Sequence, residues 1–403
     1  MYCHFSNIEI FAVIDEFPND WTQFFKSQTI DSSKRILRSE EQGPDFVIEF
    51  VRERNEIVQE FENEFVVKFR FDTTEKLHPD ITKGMSPKKI HEVTNFGQFL
   101  VNQLKTNQKL IDVGSGAGHL ERYLYKKTRE STEIICIESS KSQTESARKW
   151  ARKLRGCESQ NNNIRTINKT FENSSECFSS IESELGDNHR NLLLCGLHSC
   201  GDLTNSMISW YLSSNQLSEI AVISCCYHKM KQFPISDCLK NVMKEWPEIA
   251  STFSLRLAAQ DPFAVWLQKN PLEHVEHAKA FGKRAVLHNV AKSFNFSVKK
   301  NTFSKYQNLT TSDVVETLEK NDDFGDDSKR EKLIDNLNRD LYQDFDWIEI
   351  FSGFQAFLQL PLEFLVMIDK LLKIREIDPK KDPRLVRIFD EIISPRCFLL
   401  HSN

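Results

Sequence analysis

The sequence predicts an α/β fold built on a parallel sheet, and three observations carry that expectation. From Lys109 onward, short apolar runs alternate with helix-length amphipathic stretches, the pattern of strands joined by crossover helices. The runs are nearly continuous in Leu, Ile and Val, as strands covered on both faces require. The first run also passes straight into a glycine turn and a helical stretch, Lys109-Leu110-Ile111-Asp112-Val113-Gly114-Ser115-Gly116-Ala117-Gly118-His119-Leu120.

Strands are expected at 109–113, at 133–137 ending in Glu138, at 164–167, at 192–195 and at 220–224, with a sixth at 254–258 and a last at 397–400. Ser86-Pro87 reads as a helix start, serine as N-cap and proline in the first turn. That helix would run to about Leu104, bury Ile90, Val93, Phe96, Leu100 and Leu104, and bring Lys88, Lys89, His91 and Glu92 near the glycine turn. Residues 1–84 read as mainly helical, with Phe11, Ile14 and Phe17, then Trp21, Phe24 and Phe25, at helical spacing on either side of Pro18. The acidic patch from Asp322 to Asp327 reads as a loop inside a mostly helical stretch. The expected organisation is a helical accessory region over 1–84, a core over 85–260, a helical insertion over 261–385 and a strand returning to the sheet over 386–403.

At 403 residues the chain exceeds the usual single domain, and its thirty phenylalanines promise a sizeable aromatic core. A net charge of −5 gives no global electrostatic case for nucleic acid, so any such surface must be local. No run of about 18 apolar residues suggests a membrane span. The N-terminus, with Glu9, Asp15, Glu16 and Asp20, has neither a signal-peptide nor a transit-peptide pattern. Ten cysteines without framework spacing point to reduced thiols and an intracellular setting, cytoplasmic or nuclear.

The glycine turn departs from a dinucleotide fingerprint in two ways. Its sixth position is His119, and the strand ends in Asp112, which repels a pyrophosphate and suits a cationic ligand. The nucleoside ligand with a positive charge beside its reactive centre is S-adenosylmethionine. Asp112, Gly114, Ser115, Gly116, Gly118 and His119 are therefore candidate cofactor contacts, against the alternative of a generic strand-to-helix loop. Glu138 stands about two dozen positions past the first glycine, where a carboxylate can accept ribose hydroxyls; otherwise it is a solvated strand-end acid.

Ligands of open parallel sheets bind at the carboxyl ends of the strands, especially where strand order reverses. Two further strand ends carry titratable residues: Gly196-Leu197-His198-Ser199-Cys200-Gly201-Asp202-Leu203 and Cys225-Cys226-Tyr227-His228. His198 is the candidate general base, also within reach of the cofactor, with Asp202 to orient its ring; the alternative is a structural histidine. The second run has three readings. It can be a buried strand end, a metal site with His198 and Cys200, or an acceptor wall in which Tyr227 stacks on a base and His228 hydrogen-bonds the acceptor. Without a Cys-x-x-Cys pair no metal is expected, and the acceptor wall is favoured, with Lys88, His91, Cys200, Cys225 and Cys226 lining the pocket.

Several blocks together resemble the methyltransferase-like protein 25 family, also labelled ribosomal-RNA adenine dimethylase-domain proteins. They are Gly84-Met85-Ser86-Pro87-Lys88-Lys89 with His91-Glu92, Asp112-Val113-Gly114-Ser115-Gly116 with Gly118-His119-Leu120, Gly196-Leu197-His198 with Cys200-Gly201-Asp202-Leu203, Cys225-Cys226-Tyr227-His228, and Ser394-Pro395-Arg396. The resemblance implies a class I, Rossmann-like methyltransferase sheet of seven strands that uses S-adenosylmethionine. The His/Cys-Gly and Cys-Cys-x-His blocks also look like those of a tRNA 2′-O-ribose methyltransferase family, which raises RNA as acceptor. Adenine dimethylases carry an Asn-Pro-Pro-aromatic turn after the fourth strand; here that place holds Gly-Leu-His, which argues against adenine N6 dimethylation. The acid that often ends the third strand is replaced by Asn168.

Two local basic groups are compatible with RNA: Lys141, Arg148, Lys149, Arg152, Lys153 and Arg155, and Lys279, Lys283, Arg284, Lys292, Lys299 and Lys300. The expectation is methyl transfer from S-adenosylmethionine to a ribose hydroxyl or base nitrogen of RNA. The alternatives are a protein or small-molecule acceptor, or a non-catalytic cofactor-binding scaffold.

Overall fold

The computed structural model describes residues 17–69, 77–128, 132–154, 163–186, 191–295, 306–319 and 327–403. Phe11, Ile14, residues 322–326, Arg155, Lys299 and Lys300, named above, lie outside them, as do the side chains of Lys153 and Leu154. Eight strands form one sheet: β1 Val66–Lys68, β2 Lys109–Val113, β3 Ile134–Glu138, β4 Ile164–Asn168, β5 Leu192–Cys200, β6 Leu217–Cys225, β7 Arg384–Arg387 and β8 Phe398–Ser402. Their spatial order is β1-β7-β8-β6-β5-β2-β3-β4. β8 runs antiparallel to both β6 and β7, and the remaining pairs are parallel. Counted from β2, the order is that of a class I methyltransferase sheet, with the last strand reversed and inserted between the fifth and sixth.

The central strands are apolar on both faces because helices cover both. Leu110, Ile111, Leu192, Leu193, Leu194, Ile220, Val222 and Ile223 are fully buried. The helix Pro87–Gln103 begins as expected, Ser86 Oγ accepting from the Lys89 amide at 3.2 Å. It buries Val93, Phe96 and Leu100 against the sheet.

The chain divides into two compact units. The sheet unit takes Asn55–Gln260 with Gln359–Asn403. The other takes the described residues of Met1–Arg54 with Asp261–Leu358. Its core is aromatic: Trp21 packs edge-on to Phe46 with ring centroids 4.9 Å apart, and Phe25 likewise to Phe354 at 5.2 Å. These divisions differ from the expected ones at 84/85 and 385/386. Residues 55–84 join the sheet unit because Val66–Lys68 pairs in parallel with β7. Residues 359–385 join it because Phe364, Met367, Leu371 and Ile374 pack in the sheet's core.

The expected sixth strand at 254–258 is instead part of a helix, Thr252–Ala258. Ser251 caps it, its Oγ accepting from the Ser254 amide at 3.2 Å. Over so few residues the alternation of Leu255 and Leu257 cannot separate the two structures. The true sixth strand of the core is β7, which is covered on one side by β1. Helix Asp346–Ile377 is long and apolar enough to cross a membrane, unlike the sequence expectation of no such segment, but 67% of its apolar window is buried within the fold. It also carries fully buried Glu349, Glu363, Asp369 and Lys370.

Candidate active site

Strand order reverses between β2 and β5, with β3 and β4 built outward on one side and β6 on the other. A crevice at the carboxyl ends of the strands is where such sheets bind ligands. Asp112 and the glycine turn stand at the end of β2, Glu138 at the end of β3, His198 near the end of β5 and Cys225 at the end of β6.

The turn after β2 holds Gly114, Gly116 and Gly118 at φ 78°, 61° and 79°, a region that a Cβ disfavours. No atom lies within 4 Å of where a Gly116 Cβ would stand, so the backbone borders open space. The Gly116 amide donates to Glu138 Oε2 at 2.9 Å, and the Ser140 amide to Oε1 at 2.8 Å. Ser139 Oγ also donates to Oε1, at 3.4 Å, so Glu138 closes the turn and keeps a lone pair on Oε2 for a ligand hydroxyl. Asn168 ties down the same corner, donating to the Glu138 carbonyl at 2.8 Å.

Asp112 is 2% exposed and lies beside Glu121, a second buried carboxyl that the sequence reading missed. Burial, then the neighbouring Glu121, pushes Asp112 well above the ordinary carboxylate range, and burial raises Glu121 too. Asp112 Oδ1 and Ser115 Oγ are buried without hydrogen-bond partners. An open backbone cradle, an unpartnered buried carboxyl oxygen and an acid at the next strand's tip fit S-adenosylmethionine. His119, one turn on, contacts the Arg122 side chain and is pushed down to about 4 by burial and by Arg122, so it stays neutral.

His198 sits at φ 68° where β5 shifts register against β6 between Gly196 and Ser199. Its Nε2 lies 2.9 Å from Glu92 Oε1, and Glu92 is 2% exposed. Ser394 Oγ donates to the same oxygen at 2.8 Å, and Lys89 Nζ is 3.8 Å from Glu92 Oε2. Burial alone would raise the Glu92 carboxyl, but the His198, Ser394 and Lys89 contacts hold it below its ordinary value. A charged Glu92 fixes the Nε2–H tautomer and leaves the lone pair on Nδ1.

Asp202, expected to orient His198, does not. Its carboxylate accepts from the Lys231 and Gln232 amides at 2.9 and 3.2 Å, pinning the loop after residues 227–229. Tyr227, expected to stack on an acceptor, is 1% exposed, and its hydroxyl donates to Glu363 Oε1 at 2.8 Å. Burial was the missed factor: a tyrosine at the end of a central strand faces the core. His91 is also structural, its Nε2 accepting from the Asp390 amide at 3.1 Å while its ring meets Phe389. Lys88 remains exposed, 3.8 Å from Glu92 Oε1.

Three thiols converge beside this site. Cys200 Sγ is 3.0 Å from Cys225 Sγ and 3.4 Å from Cys226 Sγ. Hydrogen bonds from Cys200 and Cys225 push the Cys226 thiol far below its ordinary value. His228 is half-buried, with a buried Nδ1 that makes no hydrogen bond. None of the eight described cysteines forms a disulfide.

The basic groups divide. Lys141, Arg148, Lys149 and Arg152 are exposed on helix Lys141–Leu154. In the second group, Lys283 is buried with Nζ on the Leu309 carbonyl at 2.8 Å, and Arg284 lies over the Tyr306 ring. Those two serve packing rather than a basic surface.

Residues 88–233 match a family described as "Methyltransferase domain". The chain is 25% identical over 250 residues to "Probable methyltransferase-like protein 25" of Mus musculus, covering 55% of this chain and 39% of that protein. The Homo sapiens protein of the same name is 24% identical over the same length, with the same coverage. The chain thus matches about two-fifths of the length of these curated relatives. A SAM-dependent methyltransferase from Aquifex aeolicus is 18% identical and covers 37% of this chain and 74% of its own, with a TM-score of only 0.26. Residues 88–233 thus match a methyltransferase domain, in a chain similar to methyltransferase-like protein 25.

Proposed function

We propose that this is an intracellular enzyme that moves a methyl group from S-adenosylmethionine to RNA, at a ribose hydroxyl or a base nitrogen. The observation that carries the reading is the 2.9 Å His198–Glu92 pair, on the strand next to the one that ends in Asp112 and the glycine turn. When bound, S-adenosylmethionine supplies an electrophilic methyl carbon beside a sulfonium. Asp112 and the backbone of Gly114 to Gly118 hold the methionine end, and Glu138 accepts from the ribose. His198 Nδ1 takes the proton from an attacking hydroxyl, and Glu92 stabilises the imidazolium that results. Most of the rate comes from aligning acceptor and donor in line, since no covalent intermediate is needed.

RNA is favoured over other acceptors by the exposed cations of helix Lys141–Leu154, which follows the ribose-binding Glu138 directly. The test is incubation of the full chain with methyl-labelled donor and fractionated cell RNA or protein. Label in RNA, with binding that weakens steeply as salt rises, is the expected result. Label confined to protein would replace the acceptor. In parallel, Gly116→Arg should abolish donor binding by calorimetry, whereas His198→Ala should bind and not turn over. Full turnover in His198→Ala would remove the base.

A further inference from the structure

We propose that Cys200, Cys225, Cys226 and His228 form a structural zinc site that ties together the tips of β5 and β6. Cys200 and Cys225 are register partners on adjacent parallel strands, so their side chains leave the sheet on the same face. Cys226, the next residue, would point to the opposite face if the strand continued. Instead it takes a left-handed backbone, φ 51°, which turns its thiol back to the other two. Such a conformation is costly for a residue with a Cβ and persists only where something else requires it.

The three sulfurs lie within 4.8 Å of one another, and no other such cluster of ligating atoms occurs among the described residues. A tetrahedral zinc with Zn–S near 2.3 Å places its sulfurs about 3.8 Å apart. The observed 3.0 and 3.4 Å separations therefore need to open by less than about 1 Å to admit the ion. His228, two residues beyond Cys226, supplies the fourth ligand: its buried Nδ1 lacks any hydrogen-bond partner, and since it stands outside the 4.8 Å cluster of sulfurs its ring must swing inward to reach the ion. Cys200 is exposed, which gives the ion its entry path. Three thiolates, one neutral imidazole and a divalent ion leave one negative charge, which the nearby Lys229 offsets. Soft thiolates with one imidazole select zinc over magnesium or calcium. Binding releases the thiol protons and closes the loop 200–201 against 226–229, where the Gly201 amide already donates to the Cys225 carbonyl at 3.0 Å.

The test is metal analysis of the full chain, expressed with zinc and purified under a non-thiol reductant. About one zinc per chain is expected, falling at least about tenfold in Cys200→Ser and staying unchanged in Cys238→Ser, whose exposed thiol lies outside the cluster. His228→Ala should weaken zinc by at least about tenfold in a chelator competition; unaltered affinity would remove His228 from the set. Thermal melts and circular dichroism show whether each variant folds. Because the buried Cys225 risks misfolding when replaced, a second readout uses wild-type protein alone: refilling the stripped chain with cobalt(II) should give a thiolate-to-cobalt charge-transfer band. A folded, reduced wild-type chain with neither zinc nor that band overturns the proposal, as does a Cys200–Cys225 disulfide in protein prepared without oxygen.

Discussion

Glu92 and His198 are 106 positions apart in sequence, yet a 2.9 Å contact joins a buried carboxylate to the ring at a strand bulge. The helix Pro87–Gln103 supplies one partner and β5 the other, so the pair depends on the packing of that helix against the sheet. Glu92→Gln keeps a hydrogen-bond acceptor for Nε2–H but cannot stabilise a protonated ring. Turnover should fall by about 10- to 100-fold while donor affinity stays within about twofold. Initial rates together with calorimetry check this, and wild-type turnover would exclude Glu92 from the reaction.

The Asp112–Glu121 pair makes stability fall as pH rises. Both carboxyls have folded pKa values raised above their unfolded ones, so the folded state holds extra protons across that interval. Stability is then highest in mild acid and is lost as pH climbs from the ordinary carboxylate range through the raised values. Glu121→Gln removes one of the two acids. Its Tm should exceed the wild type's by about 2–4 °C at pH 8, with little difference at pH 5. Parallel melts at the two pH values decide it, and a lower Tm at pH 8 would contradict the account.

Glu349 behaves oppositely. It is fully buried and is pushed down to about 2 as His274 and His277, and then Lys269, outweigh the cost of its burial. His274 Nδ1 lies 2.7 Å from Oε1, and His277 contacts Oε2. A depressed folded pKa contributes stability above the unfolded value and loses it as pH falls towards 2. The contribution is about 3 kcal/mol at most, and it should disappear between about pH 5 and pH 2. Glu349→Gln should flatten this part of an acid-unfolding curve; an unchanged slope would show that the carboxylate is not the group responsible.

Tyr227→Phe separates structure from chemistry. Loss of the hydroxyl leaves Glu363 short of a buried hydrogen bond, though Gln359 and Arg396 still face it at 2.7 and 3.2 Å. A destabilisation of about 1–3 kcal/mol is expected, with turnover retained per folded molecule. Denaturant titration measures the first and an activity assay the second. A stable but inactive variant would return Tyr227 to the acceptor pocket.

The sheet was legible wherever an apolar run was bounded by turn residues, and that covered six of the strands. Val66–Lys68 was not legible because it is three residues long at an edge, with two of them exposed. Arg384–Arg387 was hidden by arginine at both ends, one of which, Arg387, pairs with Glu62 and Glu391. The glycine turn and Glu138 were readable because backbone conformation and strand-end position constrain residue type locally. Partner choice was not. Asp202 stood nearest to His198 in sequence, whereas the carboxylate that reaches the ring comes from another helix. Glu121 carried a faint signal, an acid in the first turn of a helix, but nothing in the sequence placed it against Asp112.

β8 lies inside the sheet, between β6 and β7, although more than 170 positions of chain separate it from β6. The sheet cannot close until that last strand arrives, and the long loop of sequence must be gathered first, which slows assembly. Until then β6 carries an open, strongly apolar rim of the kind that recruits other chains. During synthesis on the ribosome, this waiting period is when the protein most needs a chaperone.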